Sequence, residues 1–265
     1  MDLKIFHIDA FVSESCKGST ACIVPLDDWL QDIDLLQISR RNSVPETAFI
    51  IKKKNKVLLR WFTPEIEMDL CGHATLAAAH CLINELKYNS DKIIFETLSG
   101  ILEVHVKKNV YQLNFPSRIP LQTTLPNIIK KAISIQPKFV LKSRDYILVY
   151  ECESDIKNIS VDKKILDQIN LDPGGVCVTS VGNSSDFVSR FFTPQSSILE
   201  DPVTGSAHCS LVPYWSAILK KHTLRALQIS ERGGLLICEN KGERVIIGGK
   251  AITFFKETVS LDSIE

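Results

Sequence analysis

The sequence lacks an excess of charge: its 265 residues carry 31 Lys+Arg against 31 Asp+Glu. A nucleic-acid-binding surface normally announces itself as a basic excess, so this balance points away from one. Blocks of like charge are also missing. The nearest is Lys52-Lys53-Lys54, with Lys56 behind it, and so short a run reads as a solvated turn. No apolar run approaches the roughly 18 residues of a membrane helix. The opening MDLKIFHIDAF has an acidic second residue and no apolar h-region, so no signal peptide is expected there. The eight cysteines contain no C-x-x-C pair, which removes zinc ribbons and thioredoxin-type redox sites and leaves no metal-ligand spacing. Reduced thiols in the cytoplasm are the default expectation. Walker A, G-x-S-x-G and H-E-x-x-H motifs are absent as well. The pairs Gly174-Gly175, Gly233-Gly234 and Gly248-Gly249 match no dinucleotide fingerprint and read as turns between strands.

What is present is an internal repeat. Residues 60–64 read RWFTP and residues 190–194 read RFFTP, an offset of 190 − 60 = 130. A Gly-led segment follows each: CGHATLAAAH from Cys71 and TGSAHCSLVPYW from Thr204, with Gly205 set against Gly72 at an offset of 133. SGILEV then matches GGLLIC, placing Gly100 against Gly234. Three blocks in one order are hard to obtain by chance. Two copies are too few for a solenoid, so two similar domains are expected. The boundary falls in the Pro-punctuated NFPSRIPLQTTLP, giving halves 1–118 and 119–265, with the last strand able to pack back on the first half.

Apolar, β-branched runs such as KVLLRWF and GVCVTSV read as strands. ATLAAAHCLINEL and SAHCSLVPYWSAIL read as helices. Both are apolar on nearly every face, the pattern of a helix buried on all sides, as if a curved sheet wraps it. Pro213 inside the second helix should bend it.

The loop before each helix carries the chemistry. It reads Asp69-Leu70-Cys71-Gly72-His73-Ala74-Thr75 in the first copy and Glu200-Asp201-Pro202-Val203-Thr204-Gly205-Ser206 in the second. Backbone N–H groups and the dipole at a helix start bind anions, and a substrate carboxylate would fit there. One such loop alone reads as a tight turn with a Ser or Thr cap. Its repetition shifts the reading toward function. A third segment, NSVPETAFI, sets Glu46 just before a strand.

NSVPETAFI, DLCGHATLAAAH and EDPVTGSAHC resemble the three signature segments of the PhzF-like isomerases of phenazine biosynthesis, with DAFV near Asp9 and the RFFTP block in agreement. The resemblance covers about residues 5–255, and EDPVTGSAHC is its most specific part. It implies an α+β protein of two pseudo-symmetric diaminopimelate-epimerase-like domains. Each would be a mixed-sheet half-barrel around a central helix, with the active site between them. It also implies a cofactor-independent, metal-free isomerase acting on a small carboxylic acid, and a homodimer without nucleic-acid or membrane partners. Carried over residue by residue, it places the acid/base carboxylate on Glu46, a second acid on Asp201 and the histidine of the G-H pair on His73. Substrate contacts fall on Gly72, Ala74, Thr204, Gly205 and Ser206, and on the Gly18-Ser19 loop. A catalytic Glu46 should be buried enough to bring its pKa toward neutrality. His73 would orient it or hold a substrate oxygen; the competing assignment is a histidine capping its helix.

Two departures bear on the substrate. The related racemases use a cysteine before each helix-start Gly; Cys71 fits the first position, but Thr204 occupies the second, and its hydroxyl cannot serve as a base near neutral pH. Cys71 alone then reads as a small buried apolar residue. Where the family often has Gly-Asn-Pro, this chain has Gly18-Ser19-Thr20. An epimerase of amino or hydroxy acids in which Glu46 and Asp201 replace the thiols, and a non-catalytic binding protein on the same fold, are the alternatives.

Overall fold

The computed structural model describes residues 1–172 and 174–261; Pro173 and the last four residues of the 119–265 half lie outside it. The chain divides into two compact units, Met1–Asn114 together with the chain from Gly248 onward, and Phe115–Ile247.

The first unit runs β1 (Asp2–Val12), β2 (Ser19–Leu26), α1 (Asp32–Asn42), β3 (Glu46–Lys52), β4 (Val57–Phe62), β5 (Glu67–Met68), α2 (Gly72–His80), β6 (Lys92–Thr97), β7 (Gly100–Lys107) and β8 (Val110–Pro116). β1 and β2 are antiparallel, β2 and β3 parallel, β3 and β4 antiparallel, β4 and β6 parallel, and β6 and β7 antiparallel. Alternation along β2 serves both faces of this sheet. Cys22, Val24 and Leu26 pack with Leu35 and Ile38 of α1. The intervening Ala21 and Ile23 are equally buried and face the other side, where α2 lies against β1, β2 and β3. Every residue of α2 from Gly72 to Ala79 is buried, as an all-round apolar helix requires.

The second unit runs β9 (Leu121–Gln122), α3 (Asn127–Ala132), β10 (Phe139–Lys142), β11 (Tyr146–Val149), α4 (Glu153–Asn158), α5 (Lys163–Leu166), β12 (Val176–Val181), β13 (Phe187–Phe192), β14 (Glu200–Asp201), α6 (Gly205–Leu219), β15 (Thr223–Gln228) and β16 (Gly234–Asn240). β10 and β11 are antiparallel, β11 and β12 parallel, β12 and β13 antiparallel, β13 and β15 parallel, and β15 and β16 antiparallel. The sequence of pairings is that of the first unit. The short helices α3, α4 and α5 bury Ile129, Ile156 and Leu166 with Val176, Val178, Val188 and Phe192 of the sheet. Both units are thus mixed sheets around one long apolar helix, an α+β architecture.

β17 (Arg244–Ser260) ends the described chain, and its part beyond Gly248 pairs antiparallel with β1, Asp2 opposite Ser260. The Gly248-Gly249 pair lies inside this strand, which corrects the turn expected there. The physical reason is close packing: a Cβ on Gly249 would sit 2.3 Å from Cδ1 of Phe11. Phe11 itself sits at φ 64°, at an irregularity where the β1 register shifts between Ala10 and Val12. A second correction concerns ATLAAAHCLINEL. The α-helix stops at His80, and Cys81–Glu85 continue as a π-turn in which the Leu86 N–H reaches the Cys81 carbonyl at 3.0 Å. Pro213 sits within α6 and has no N–H for the Cys209 carbonyl four residues back; the Arg118 N–H takes that carbonyl instead, at 2.9 Å. No helix among the described residues is long and apolar enough to cross a membrane.

Candidate active site

Glu46 opens β3 and stands opposite Ala21 on the parallel neighbour β2. The chain reaches it by a sharp exit from α1 through Ser43, at φ 51°. His73 is the second residue of α2, and burial leaves it 4 % exposed. The two meet: His73 Nε2 lies 2.9 Å from Glu46 Oε2. Neither atom makes a hydrogen bond of correct direction, so this is a contact of charges rather than an aligned bond. On the other side of the ring, Nδ1 lies 3.7 Å from Cys71 Sγ. His73 is therefore held by side chains on both nitrogens and is not a capping histidine. Burial pulls its pKa down, but Cys71 and Glu46 against it push harder, and the imidazole is raised well above its usual value. Glu46 beside the ring thus favours its charged form. Burial, with Glu46 next, raises the Cys71 thiol above its usual range, so the sulfur is held as a thiol.

Oε2 of Glu46 is sealed against the histidine, yet the Glu46 side chain keeps 16 % exposure. The accessible part of the residue is therefore not Oε2. Cys71 stands at the N-cap of α2 without a side-chain cap bond, and its carbonyl accepts from the Thr75 N–H and hydroxyl. The first-turn N–H groups of Gly72, His73 and Ala74 are those a helix leaves without internal partners, and with the dipole they favour a negative group. Gly18 and Ser19 lead into β2. Gly18 sits at φ +74°, and a Cβ there would fall 2.1 Å from the Ala10 carbonyl oxygen, so the position admits glycine only. Two residues before Ala21, Ser19 faces the same side of the sheet as Glu46, and its buried hydroxyl has no hydrogen-bond partner.

In the second unit Asp201, Thr204, Gly205 and Ser206 lie on the equivalent loop. The Thr204 hydroxyl donates to Asp201 Oδ2 at 2.6 Å, and the Val203 N–H to Oδ1 at 3.3 Å. Thr204 is the N-cap of α6 but makes no cap bond with its side chain. Gln228 fastens this loop: its Nε2 donates to the Asp201 carbonyl at 2.7 Å, and its Oε1 accepts from the Thr204 N–H at 2.8 Å. His208, one turn into α6, sets Nδ1 at 2.8 Å from the Thr204 carbonyl, and burial lowers its pKa to about 4, so it stays neutral and donates there. Sequence reasoning passed over Gln228, whose one signal is an amide ending the strand TLRALQ. It also passed over the pairing of Cys71 with His73.

Among the described residues one cluster of side chains offers ligand-type atoms close together: Glu46, Cys71 and His73, with one atom of each within 4.8 Å of the others.

The family model of phenazine biosynthesis-like proteins (PhzC-PhzF) matches residues 8–257. The chain belongs to that family. It is 42 % identical over 261 residues to a protein of Pseudomonas aeruginosa named an uncharacterized isomerase, covering 98 % of this chain and all of that protein. A PhzF-family protein of Enterococcus faecalis superposes with a TM-score of 0.93 at 41 % identity, covering 98 % of this chain and all of the other. One from Clostridium difficile gives 0.89 at 40 %, covering 97 % and 99 %. The chain is an isomerase of the phenazine biosynthesis-like family. A hydroxyproline epimerase of Agrobacterium vitis, 9 % identical with a TM-score of 0.61 over 98 % of this chain and 93 % of that one, shares the fold alone.

Proposed function

We propose that this PhzF-family isomerase moves a proton within a small carboxylic acid by acid/base chemistry, without a cofactor, with Glu46 as the proton carrier. The observation that carries the reading is the 2.9 Å contact between Glu46 Oε2 and the buried His73 Nε2 at the start of α2. A carboxylate in a buried place is costly unless a cation faces it, and His73 stands where that cation would be. With Oε2 held, the accessible part of Glu46 takes a proton from a carbon made acidic by a neighbouring carboxylate or double bond and returns it at another carbon on the same face. The α2 start supplies N–H groups for a substrate oxygen. In the second unit the α6 start, with Gly205 and Ser206, offers the same donors, and Asp201 is set by Thr204 and Gln228. A two-thiol racemase mechanism is disfavoured because the second thiol position holds Thr204, whose hydroxyl is already committed to Asp201. The reading includes a cytoplasmic homodimer that needs no nucleic acid or membrane; sedimentation of the purified protein tests the stoichiometry.

The test is proton NMR of metal-free protein in deuterium oxide with a panel of hydroxy, amino and unsaturated carboxylic acids, wild type beside Glu46→Gln. Exchange by wild type alone is expected, with a shift in double-bond position. Equal exchange by both proteins would remove Glu46 from the mechanism. Exchange at one carbon with inversion and no bond shift would make the chain an epimerase.

A further inference from the structure

We infer that Glu46, Cys71 and His73 also form a three-ligand site for a soft divalent cation of the zinc type, which turns the enzyme off by taking the groups that carry the proton. The inhibitory half of this rests on the proton-transfer reading above; the binding half does not.

The geometry is close to what such a cation needs. A tetrahedral ion with bonds of about 2.0–2.3 Å holds its ligand atoms roughly 3.3–3.8 Å apart. Here one atom from each residue lies within 4.8 Å of the others. The Cys71 Sγ to His73 Nδ1 separation is 3.7 Å, already in that window. The histidine is 4 % exposed, and its Nε2 makes no hydrogen bond although Glu46 Oε2 lies 2.9 Å away. Glu46 Oε2 is likewise buried without one. A cation coordinated by either ring nitrogen would replace the unaligned contact of charges. One thiol, one imidazole and one carboxylate match zinc and cadmium, whereas magnesium and calcium prefer oxygen donors throughout. The fourth position would go to water or to a substrate carboxylate. Entry is from the side of Glu46, the one member of the three with appreciable exposure. On binding, the Cys71 S–H bond breaks as the metal–sulfur bond forms, any proton on the ligating ring nitrogen leaves to free its lone pair, and the released protons pass to buffer.

The experiment uses the full chain with Cys16→Ser and Cys152→Ser, which removes the two thiols that are not buried and lie outside the site. Cadmium is titrated into this metal-free protein. The expected result is a thiolate-to-cadmium charge-transfer band that saturates at one equivalent, with cobalt giving the visible bands of a four-coordinate ion. Adding Cys71→Ser abolishes the band. His73→Asn and Glu46→Gln, which keep the thiol, each weaken cadmium binding by roughly tenfold or more. No band at one equivalent, a band that survives Cys71→Ser, or unchanged affinity in both His73→Asn and Glu46→Gln would overturn the site. Should Cys71→Ser not fold, the last two variants decide alone. The exchange assay separates the two readings. Metal-free protein that exchanges protons but shows no band sinks only the cation site, and a band in protein that never exchanges sinks only the proton-transfer role. Full exchange with cadmium bound would overturn the inhibition, and loss of exchange restored by a chelator is the expected outcome.

Discussion

The two units run the same pairings in the same order, yet they spend their polar residues differently. In both, an arginine of the central strand grips a glutamate: Arg60 meets Glu67 at 2.6 and 2.7 Å, and Arg190 meets Glu200 at 2.8 Å through two nitrogens. In both, the guanidinium lies over a phenylalanine two residues on, Phe62 or Phe192, at 5.0 Å. The scaffold is duplicated down to this clasp. The chemistry is not. At the repeat offset of 130, Glu46 corresponds to Val176; at the offset of 133, His73 corresponds to Ser206 and Cys71 to Thr204. A duplicated frame therefore holds a glutamate against a buried histidine in one half, and an aspartate bound by hydroxyl and amide in the other.

The largest expected effect breaks that asymmetry. Glu46→Gln should lower proton exchange by about 10²–10⁴-fold, while Val176→Ala, at the matching place, should leave the rate per folded molecule unchanged; NMR exchange rates on both variants check this. The shared clasp gives the next effect. Arg60→Met should cost about 2 kcal/mol of unfolding free energy and Arg190→Met about 3 kcal/mol, because each leaves a largely buried glutamate unpaired. The excess at Arg190 comes from its Nη1, which also donates to the carbonyls of Ile156 and Ile159. Urea unfolding of both variants would show equal losses if the clasps were equivalent.

The paired glycines differ for another reason. Gly234→Ala would place a Cβ 2.4 Å from Val203 Cγ2, whereas Gly100→Ala meets nothing within 4 Å but sits at φ +94°. The first should cost about 2 kcal/mol by overpacking and the second about 1 kcal/mol by backbone strain, readable as a drop in urea midpoint.

The smallest effect is in the pH response. The Arg41 guanidinium hydrogen-bonds Glu257, and although burial opposes it, His7 adds to it, so the carboxyl falls from 4.5 to about 2. A lowered folded-state pKa means stability present above the unfolded value and lost as pH falls from 4.5 toward 2. Asp145 in the second unit has the opposite sign: burial raises its pKa despite nearby Arg144, the Gly175 N–H and Arg118, so its contribution is lost as pH rises. Glu257→Gln should cost about 1 kcal/mol at neutral pH and nothing in strong acid. Asp145→Asn should not destabilise at neutral pH in the same titration of unfolding; a loss there would contradict this sign.

Much of this was legible in the residues. Repetition of RWFTP as RFFTP announced the two similar units, and the all-apolar helices announced their burial. The β-branched runs marked β4 and β12 because alternation and burial constrain both faces of a sheet. The short helices α3, α4 and α5 escaped because each is only four to six residues long, too short to establish a period. Gly248-Gly249 misled because a glycine needed for close packing looks, in sequence, like one needed for a turn. Glu46 and His73 were recognisable from their segments, but their contact spans 27 residues and depends on how β3 and α2 meet. No spacing encodes such a contact. Cys71 is buried as expected, but its closeness to His73 is likewise a contact in space that the residues alone do not announce.

The pairing of β1 with the far end of β17 has a consequence for how the protein is made. During synthesis the first unit emerges early but lacks the strand that flanks β1, which follows the whole of the second unit in the chain. The second unit has all its strands in hand before then. Birth order and completion order are thus inverted: the half that carries Glu46 and His73 is finished only after the whole of the other half has been made.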